Sequence, residues 1–173
     1  NTTGGVVITP DQIGPHWGVE VGIDNIASGL TSFAVGSGNK ATGGHSFAQG
    51  FDCVASGIYS TANGYFVSAT GGGSRAEGEN TLAYGNDSHA EGQNTEAYGI
   101  HSHAEGLASK TYGYNSHAEG WLTRTGEVTS VSDIGGAGWG GVAGGNPDWS
   151  GHSAHAEGRG SVALGSYSHA EGN

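Results

Sequence analysis

Small residues recur along the chain with a period of seven. Glycine occupies every seventh position from Gly29 to Gly120, fourteen times without a slip. Alanine stands two residues before thirteen of these glycines, with Thr111 as the exception, and Ser, Thr or Asn stands four residues before twelve of them, with Cys53 and Val67 as the exceptions. The unit is therefore [S/T/N]-x-A-x-G-x-x, and the larger hydrophobic and charged residues fall between the small ones.

This alternation predicts β-strands. Small residues at positions i, i+2 and i+4 share one face of a strand, whereas a helix would scatter them around its axis. We expect one strand and one turn per heptad, with glycine helping to turn the chain because a positive φ is inexpensive for it. Two heptads then form one coil of an all-β parallel solenoid, whose coils stack at ~4.8 Å. The interior is predicted to be thin, with Cys53 as one of its small buried residues.

Alternate heptads place their variable residues on two opposite outward faces. The sequence SHAEG occurs at intervals of fourteen residues within Ser88–Gly120, so the motif is expected once per coil and always on the same face. The opposite face carries Tyr84, Tyr98 and Tyr112 at the same interval. The outward column of the first face comprises Phe33, Phe47, His89, Glu91, His103, Glu105, His117, Glu119, His155, Glu157, His169 and Glu171.

The composition narrows the possible partners. Of 173 residues 36 are glycine and only 34% are hydrophobic, which rules out a thick conventional core. The formal net charge is −11 with five Lys plus Arg, so binding to nucleic acid or to an anionic membrane surface is not expected. The sequence has one cysteine, so no intrachain disulfide can form, and it has no apolar run of transmembrane length. The chain starts at Asn1 without Met, and we interpret it as a processed chain or a fragment.

The S-x-A-x-G heptads resemble the head repeats of YadA-like trimeric autotransporter adhesins. The resemblance covers residues 25–120 and 154–172. It implies a left-handed parallel β-roll assembled as a homotrimer, in which the residues flanking Ala on one strand face the threefold axis. These residues are usually aliphatic in the family, like those of S-V-A-L-G at Ser161–Gly165, whereas the repeats in the C-terminal half of this chain use His and Glu.

The resemblance also implies a function. We expect a structural and adhesive head region of an extracellular trimeric fibre, on a bacterial cell surface or, because similar rolls occur in tail fibres, on a bacteriophage virion. The partners are then other copies of the chain and a host-surface glycan or protein receptor, with no membrane contact by this segment. The alternative is a purely structural spacer or assembly subunit that binds no ligand.

The thinness of the roll also favours an oligomer, independently of the family resemblance. A thin roll buries little surface by itself, so further burial must come from a partner. Phe33, Val35 and Phe47 would otherwise project into water from one face. A closed homo-oligomer is the usual solution.

The column of His and Glu admits three interpretations. His can donate to a Glu of a neighbouring chain as polar packing along the axis. Rings of three symmetry-related His89, His103 or His117 can instead capture a metal or an anion, although no single chain offers a complete ligand set. Catalysis is disfavoured because a repeated ladder contains no unique acid, base or nucleophile. We therefore predict a non-enzymatic protein without a required cofactor. The calcium-binding nonapeptide of other β-rolls does not occur.

The repeat is interrupted between Gly120 and Gly158, where 24 residues exceed one ordinary coil. The predicted organisation is a lead-in that caps the first coil (1–22), β-roll repeats (23–120), a Trp- and Gly-rich insertion (121–152) and resumed repeats (153–173). Within the insertion, TRTGEVTSV is compatible with a hairpin. Trp121, Trp139 and Trp149 are candidates for ligand contact, because Trp is favoured at binding hot spots, or for a flap that covers the roll. Tyr84, Tyr98 and Tyr112 are interpreted as cross-coil stacking or as a carbohydrate or protein contact.

Overall fold

The computed structural model describes residues 5–10, 17–126, 142–143 and 153–172. These residues form β-strands joined by tight turns, and the strands assemble into two sheets. The long-strand sheet contains β1 (Gly5–Pro10), β2 (Trp17–Ile23), β4 (Phe33–Ser37), β6 (Phe47–Phe51), β8 (Thr61–Tyr65), β10 (Arg75–Glu79), β12 (His89–Gln93), β14 (His103–Leu107), β16 (His117–Trp121), β19 (His155–Arg159) and β21 (His169–Gly172). The short-strand sheet contains β3 (Ile26–Ala27), β5 (Lys40–Ala41), β7 (Val54–Ala55), β9 (Ser68–Ala69), β11 (Leu82–Ala83), β13 (Glu96–Ala97), β15 (Lys110–Thr111), β17 (Arg124–Thr125), β18 (Val142–Ala143) and β20 (Val162–Ala163).

Neighbouring coils pair in parallel and in register. His89 lies opposite His103 and His103 opposite His117, each fourteen residues further along the chain. The short strands follow the same register, for example Leu82 opposite Glu96. The chain is therefore a parallel β-solenoid of about nine coils with a fourteen-residue repeat, as the heptads predict. Two of the described strands depart from this order. β1 pairs antiparallel with β2 at the N-terminal edge, and β18 pairs with β20 on the side away from β17.

The interior between the two sheets is filled by small side chains. The alanines of both sheets are fully buried from Ala34 to Ala104, and Ser, Thr and Asn, with Cys53 and Val67, occupy other inward positions. Several of these hydroxyls bond to the turns: the Ser88 hydroxyl donates to the Gly85 carbonyl at 2.7 Å, and the same bond recurs in other coils. Other buried hydroxyls have no hydrogen-bond partner within the chain, namely those of Ser32, Ser46, Thr81 and Thr95. Buried Asn39 donates to the carbonyl oxygens of Val35 and Gly50. The core is thus narrow and rich in hydrogen bonds.

The glycines of both sheets are required by the spacing between coils. A Cβ built on Gly50 would lie 1.9 Å from the carbonyl oxygen of Gly64, and one on Gly57 would lie 1.9 Å from that of Gly71. Such distances are impossible for real atoms. Any larger residue at these positions must push two coils apart.

The backbone corrects the expectation that glycine itself turns the chain by adopting a positive φ. Glycines of the long-strand sheet such as Gly50 do have a positive φ (120°), but the glycine column that includes Gly57 does not. The left-handed corner residue is instead the second one after the glycine, as at Asp52 and Tyr59. Neither column of glycines lies at that corner position. The chain therefore turns at the residues that occupy the corner position.

The roll continues in register across the interruption. β16 pairs directly with β19, so that His117 lies opposite His155, and β17 pairs with β20. Arg124 and Thr125 pair in parallel on both sides, which corrects the hairpin suggested for TRTGEVTSV at its first residues. Residues 127–141 and 144–152 lie outside the described residues, as do residues 1–4 and 11–16 of the predicted lead-in.

We predict that Gly50→Ala destabilises the roll by at least about 2 kcal/mol, because the left-handed backbone and the overlap with the next coil both penalise a Cβ. Gly44→Ala is the matched control, since a Cβ on Gly44 meets nothing within 4 Å. Thermal and urea unfolding followed by circular dichroism measure both. Equal stabilities of the two variants would contradict the close approach of the coils.

Candidate functional site

The outward face of the long-strand sheet carries a continuous stack of imidazole rings. His89, His103, His117, His155 and His169 occupy the same position in successive coils, with ring centroids 4.8–4.9 Å apart and ring planes within 14° of parallel. The stack exists because the parallel register places identical residues side by side. We call it, together with Glu91, Glu105, Glu119, Glu157 and Glu171, the His–Glu ladder.

Each ladder histidine lies beside the glutamate two residues later on the same strand. The distance from Nε2 to the carboxylate Oε2 is 3.7 Å for His89 and Glu91 and for His155 and Glu157, and 3.8 Å for the two pairs between them. This distance is longer than a hydrogen bond. The Nε2 atoms of His89, His103, His117 and His155 are also shielded from solvent and have no hydrogen-bond partner.

The glutamates form a column of like charges beside the rings. Glu91 lies opposite Glu105, and Glu105 opposite Glu119, in adjacent coils. Carboxylates directly opposite one another across strands are destabilising unless another charge compensates them. At the start of the column Glu77 has such a partner, because Arg75 donates to it at 2.8 Å.

Burial keeps the middle of the ladder uncharged near neutral pH. Desolvation lowers the pKa of His103, and the neighbouring His89 lowers it further, while Glu105, Glu91 and Glu119 act in the opposite direction. Desolvation likewise lowers the pKa of His117, assisted by His103 and His155 and opposed by Glu119 and Glu105. The adjacent glutamates are therefore not neutralised by these two rings.

Aromatic residues occupy the same face towards the N terminus. Phe33 and Phe47 stack with ring centroids 5.6 Å apart and remain half-exposed. Val35 lies beside them on the same strand as Phe33 and is also half-exposed. One face thus changes along the roll from apolar to imidazole and carboxylate.

The tyrosine column predicted on the opposite face is present. Tyr98 and Tyr112 stack at 5.0 Å and within 6° of parallel, and Tyr84 follows at 5.9 Å with a tilted ring. The Arg124 guanidinium lies over the Tyr112 ring at 5.2 Å. Desolvation, followed by the nearby Glu96 carboxylate, raises the pKa of Tyr98 to about 12. These side chains cover the sheet, and Tyr84 still exposes 60% of its surface.

A second aromatic cluster lies at a corner of the roll and was missed by the sequence analysis. Phe51 stacks on Tyr65 at 5.2 Å, and Phe66 meets both rings edge-on. All three residues are exposed. Phe51 and Tyr65 are fourteen residues apart, which is the only signal in the sequence that could have identified the pair.

One of the three tryptophans predicted to contact a ligand, Trp121, lies among the described residues. Trp121 ends β16 at the same corner column and is exposed, with the Arg159 guanidinium 4.1 Å from its ring. Trp139 and Trp149 lie outside the described residues. Cys53, by contrast, is buried within the roll, and desolvation raises the pKa of its thiol.

Among the described residues, two sets on the outward face of the long-strand sheet bring potential metal ligands together within one chain. They are Glu77, His89 and Glu91 at one end and His155, Glu157 and His169 at the other. Rings of three symmetry-related histidines require further chains and remain a prediction.

The comparisons agree with the repeat architecture. A family model described as the YadA head domain repeat matches residues 27–52, 68–88, 76–102 and 150–173. No curated protein matches the chain significantly. The solenoid also includes coils between the matched segments, such as those of β8 and β14. Among the described residues, no helix is long and apolar enough to cross a bilayer.

We predict that acid loosens the ladder before the apolar end of the roll. A lowered pKa in the folded state means that the unfolded chain, whose histidines titrate near ~6.5, binds more protons. The stability that neutral His103 and His117 confer is therefore complete above that pH and is lost as the pH falls through it.

Amide hydrogen exchange at about pH 7.5 and about pH 5 tests this. Protection of residues 88–120 should fall more than that of residues 30–50, and a His103→Gln/His117→Gln variant should lose most of the difference. Equal protection of both segments down to strongly acidic pH would refute the prediction.

Proposed function

Since the chain carries YadA-like head repeats, we propose that it forms the structural and adhesive head region of an extracellular, homotrimeric fibre. The repeats are of the type that builds the heads of trimeric autotransporter adhesins. The setting is a bacterial cell surface or a bacteriophage virion, where the chain would serve as an adhesin or as a receptor-binding tail fibre. We take the roll to be left-handed, as in that family.

The observation that carries the trimer is the chemistry of the long-strand face. Four ladder Nε2 atoms are shielded from solvent yet lack a hydrogen-bond partner within the chain. A buried donor without a partner costs about 1–3 kcal/mol. A neighbouring chain packed on this face would supply its glutamates as acceptors, so that the ladder lies along the threefold axis.

The apolar part of the same face supports this packing. Phe33, Val35 and Phe47 are half-exposed on the isolated chain, although the interior of the roll consists of residues no larger than Val67. Burying the two stacked rings in an interface adds apolar contact that the thin core lacks.

Adhesion is assigned to the aromatic side chains that this arrangement leaves on the outside. Tyr84, Tyr98 and Tyr112 lie on the opposite sheet, and the cluster of Phe51, Tyr65 and Phe66 lies at a corner with Trp121 further along the same edge. Flat exposed rings suit stacking on a sugar or contact with a protein receptor. The matching head repeat is of a structural and adhesin type, which supports a non-enzymatic role.

The regular register favours the spacer as the second candidate. The coils pair identically on both sides of the insertion, so the roll can extend a fibre without any ligand. In that case the aromatic columns and the insertion would only cover the sheets and their corners.

The oligomer is tested by sedimentation or light scattering. We expect three times the mass of one chain, and we expect Phe33→Ser/Phe47→Ser to weaken the assembly. Tyr59→Ser is the control, because Tyr59 is an exposed aromatic residue at a corner. A stable monomer of the unaltered chain would refute the trimer, since Phe33 and Phe47 would have no cover.

The adhesive role is tested by removing the insertion. Gly120 and Gly158 are 38 positions apart, so deletion of residues 127–150, which are 24 residues, restores the spacing of 14. The deletion spares Arg124 and Thr125, which belong to β17. Glycan-array and host-cell binding would then be compared with the full chain. Lost binding by an intact trimer places recognition in the insertion.

Binding that survives the deletion but disappears in Tyr84→Ser or Tyr65→Ser variants would place recognition on the roll. Absence of any binding by the full chain to glycans and to host cells would contradict adhesion and favour the spacer. The circular dichroism of the two tyrosine variants should match that of the full chain, because Tyr84 and Tyr65 are exposed. The deletion also removes β18, which pairs with β20, so its fold is checked by comparing its β-sheet signal and its mass with those of the full chain.

A further inference from the structure

One part of the ladder brings two imidazoles and a carboxylate together on the roll surface. His155 and His169 come from adjacent coils, with ring centroids 4.9 Å apart, and Glu157 follows His155 by two residues on the same outward face. One potential ligand atom from each of the three residues lies within 4.8 Å of the others. All three belong to a single chain, so the ligand set itself does not depend on trimer formation. In the proposed trimer the ion would replace a neighbouring chain's glutamate as the partner of His155 Nε2.

The distance between His155 and Glu157 is too long for a hydrogen bond between them, so both remain free to bind an ion. His155 Nε2 is shielded from solvent and has no hydrogen-bond partner, and it lies 3.7 Å from Glu157 Oε2. Two ligands of a tetrahedral zinc ion, each about 2.0 Å from the metal, lie about 3.3 Å apart. A movement of a few tenths of an ångström therefore converts the pair into two ligands of one ion. The two rings are within 10° of parallel, so at least one must turn for both lone pairs to converge.

The charge around these residues favours a cation. Glu157 lies opposite Glu119 on one side and Glu171 on the other, which places three carboxylates in one column. The guanidinium of Arg159, on the same strand, lies over the Trp121 ring at 4.1 Å. A divalent ion on Glu157 would relieve the repulsion along the column.

We propose that His155, Glu157 and His169 form a binding site for a first-row divalent transition metal ion such as Zn²⁺, with water completing its coordination. Imidazole ligands select these ions over Ca²⁺ and Mg²⁺, which take oxygen ligands. The set formed by Glu77, His89 and Glu91 is the weaker alternative: it offers one imidazole, and Arg75 already holds Glu77 at 2.8 Å.

The test is a metal titration of the whole chain. We expect Zn²⁺ to bind in isothermal titration calorimetry, Co²⁺ to develop d–d absorption bands that Zn²⁺ abolishes, and Ca²⁺ to bind much more weakly. His155→Gln and His169→Gln should each weaken the tightest Zn²⁺ site by at least about ten-fold, a loss at least as large as that for removing an outer-shell partner. His101→Gln is the matched control, because His101 also lies near a carboxylate, Asp87 at 3.6 Å, but stands outside the ladder.

Several outcomes would overturn the proposal: no Zn²⁺ binding at micromolar concentration, equal binding of Ca²⁺, or equal losses in His155→Gln and His101→Gln. Glu157→Gln keeps the test decisive if His155→Gln fails to fold, because it removes a carboxylate without shortening the side chain. Sedimentation of the metal-free chain separates this proposal from the proposed trimer. An intact trimer that binds no Zn²⁺ refutes the metal site alone, and a monomer that binds Zn²⁺ refutes the trimer alone.

Discussion

The close approach of neighbouring coils governs the rest of this molecule. Glycine carbonyls of successive coils come so near that a single added carbon atom on Gly50 or Gly57 would overlap them. The two sheets consequently enclose only Ala, Ser, Thr and similarly small residues. Because the interior accepts so few residue types, side-chain chemistry varies almost entirely at the outward positions. Each outward column consists of the residues at one position of the fourteen-residue repeat.

That arrangement places residues fourteen positions apart side by side, so a residue type that recurs at this interval becomes its own neighbour. In-register pairing turns a repeated amide into a buried hydrogen-bonded ladder, as at Asn25 and Asn39, and a repeated tyrosine into a stack. The same rule aligns glutamates, where it is unfavourable. The imidazoles beside them can stack closely because uncharged rings do not repel one another. The lowered pKa values of His103 and His117 are consistent with this stacking.

The sequence was informative where spacing alone decides the structure. Strand position, inward and outward assignment and the fourteen-residue coil all follow from the heptads, because side chains alternate along a strand. The stacked His and Tyr columns were predictable for the same reason. The corners were not, since the left-handed position is taken by residues as different as Thr31, Tyr59 and Leu122. The cluster of Phe51, Tyr65 and Phe66 escaped notice because its rings combine two adjacent corner columns. The shielding of the imidazole Nε2 atoms from solvent depends on how the side chains pack in three dimensions, and no sequence pattern indicates it.

The uninterrupted register between β16 and β19 has a consequence for how such a chain can vary. The stretch between β17 and β19 contains β18, which pairs with β20, while β16 pairs with β19 and β17 with β20 as neighbouring coils do elsewhere. Loop closure depends only weakly on length, at about 0.6 kcal/mol for each doubling. Apart from β18, a segment inserted here can therefore change its length or its sequence at little cost to the pairing of the two sheets. The contacts that this segment makes can therefore change under selection while the folding of the roll is maintained.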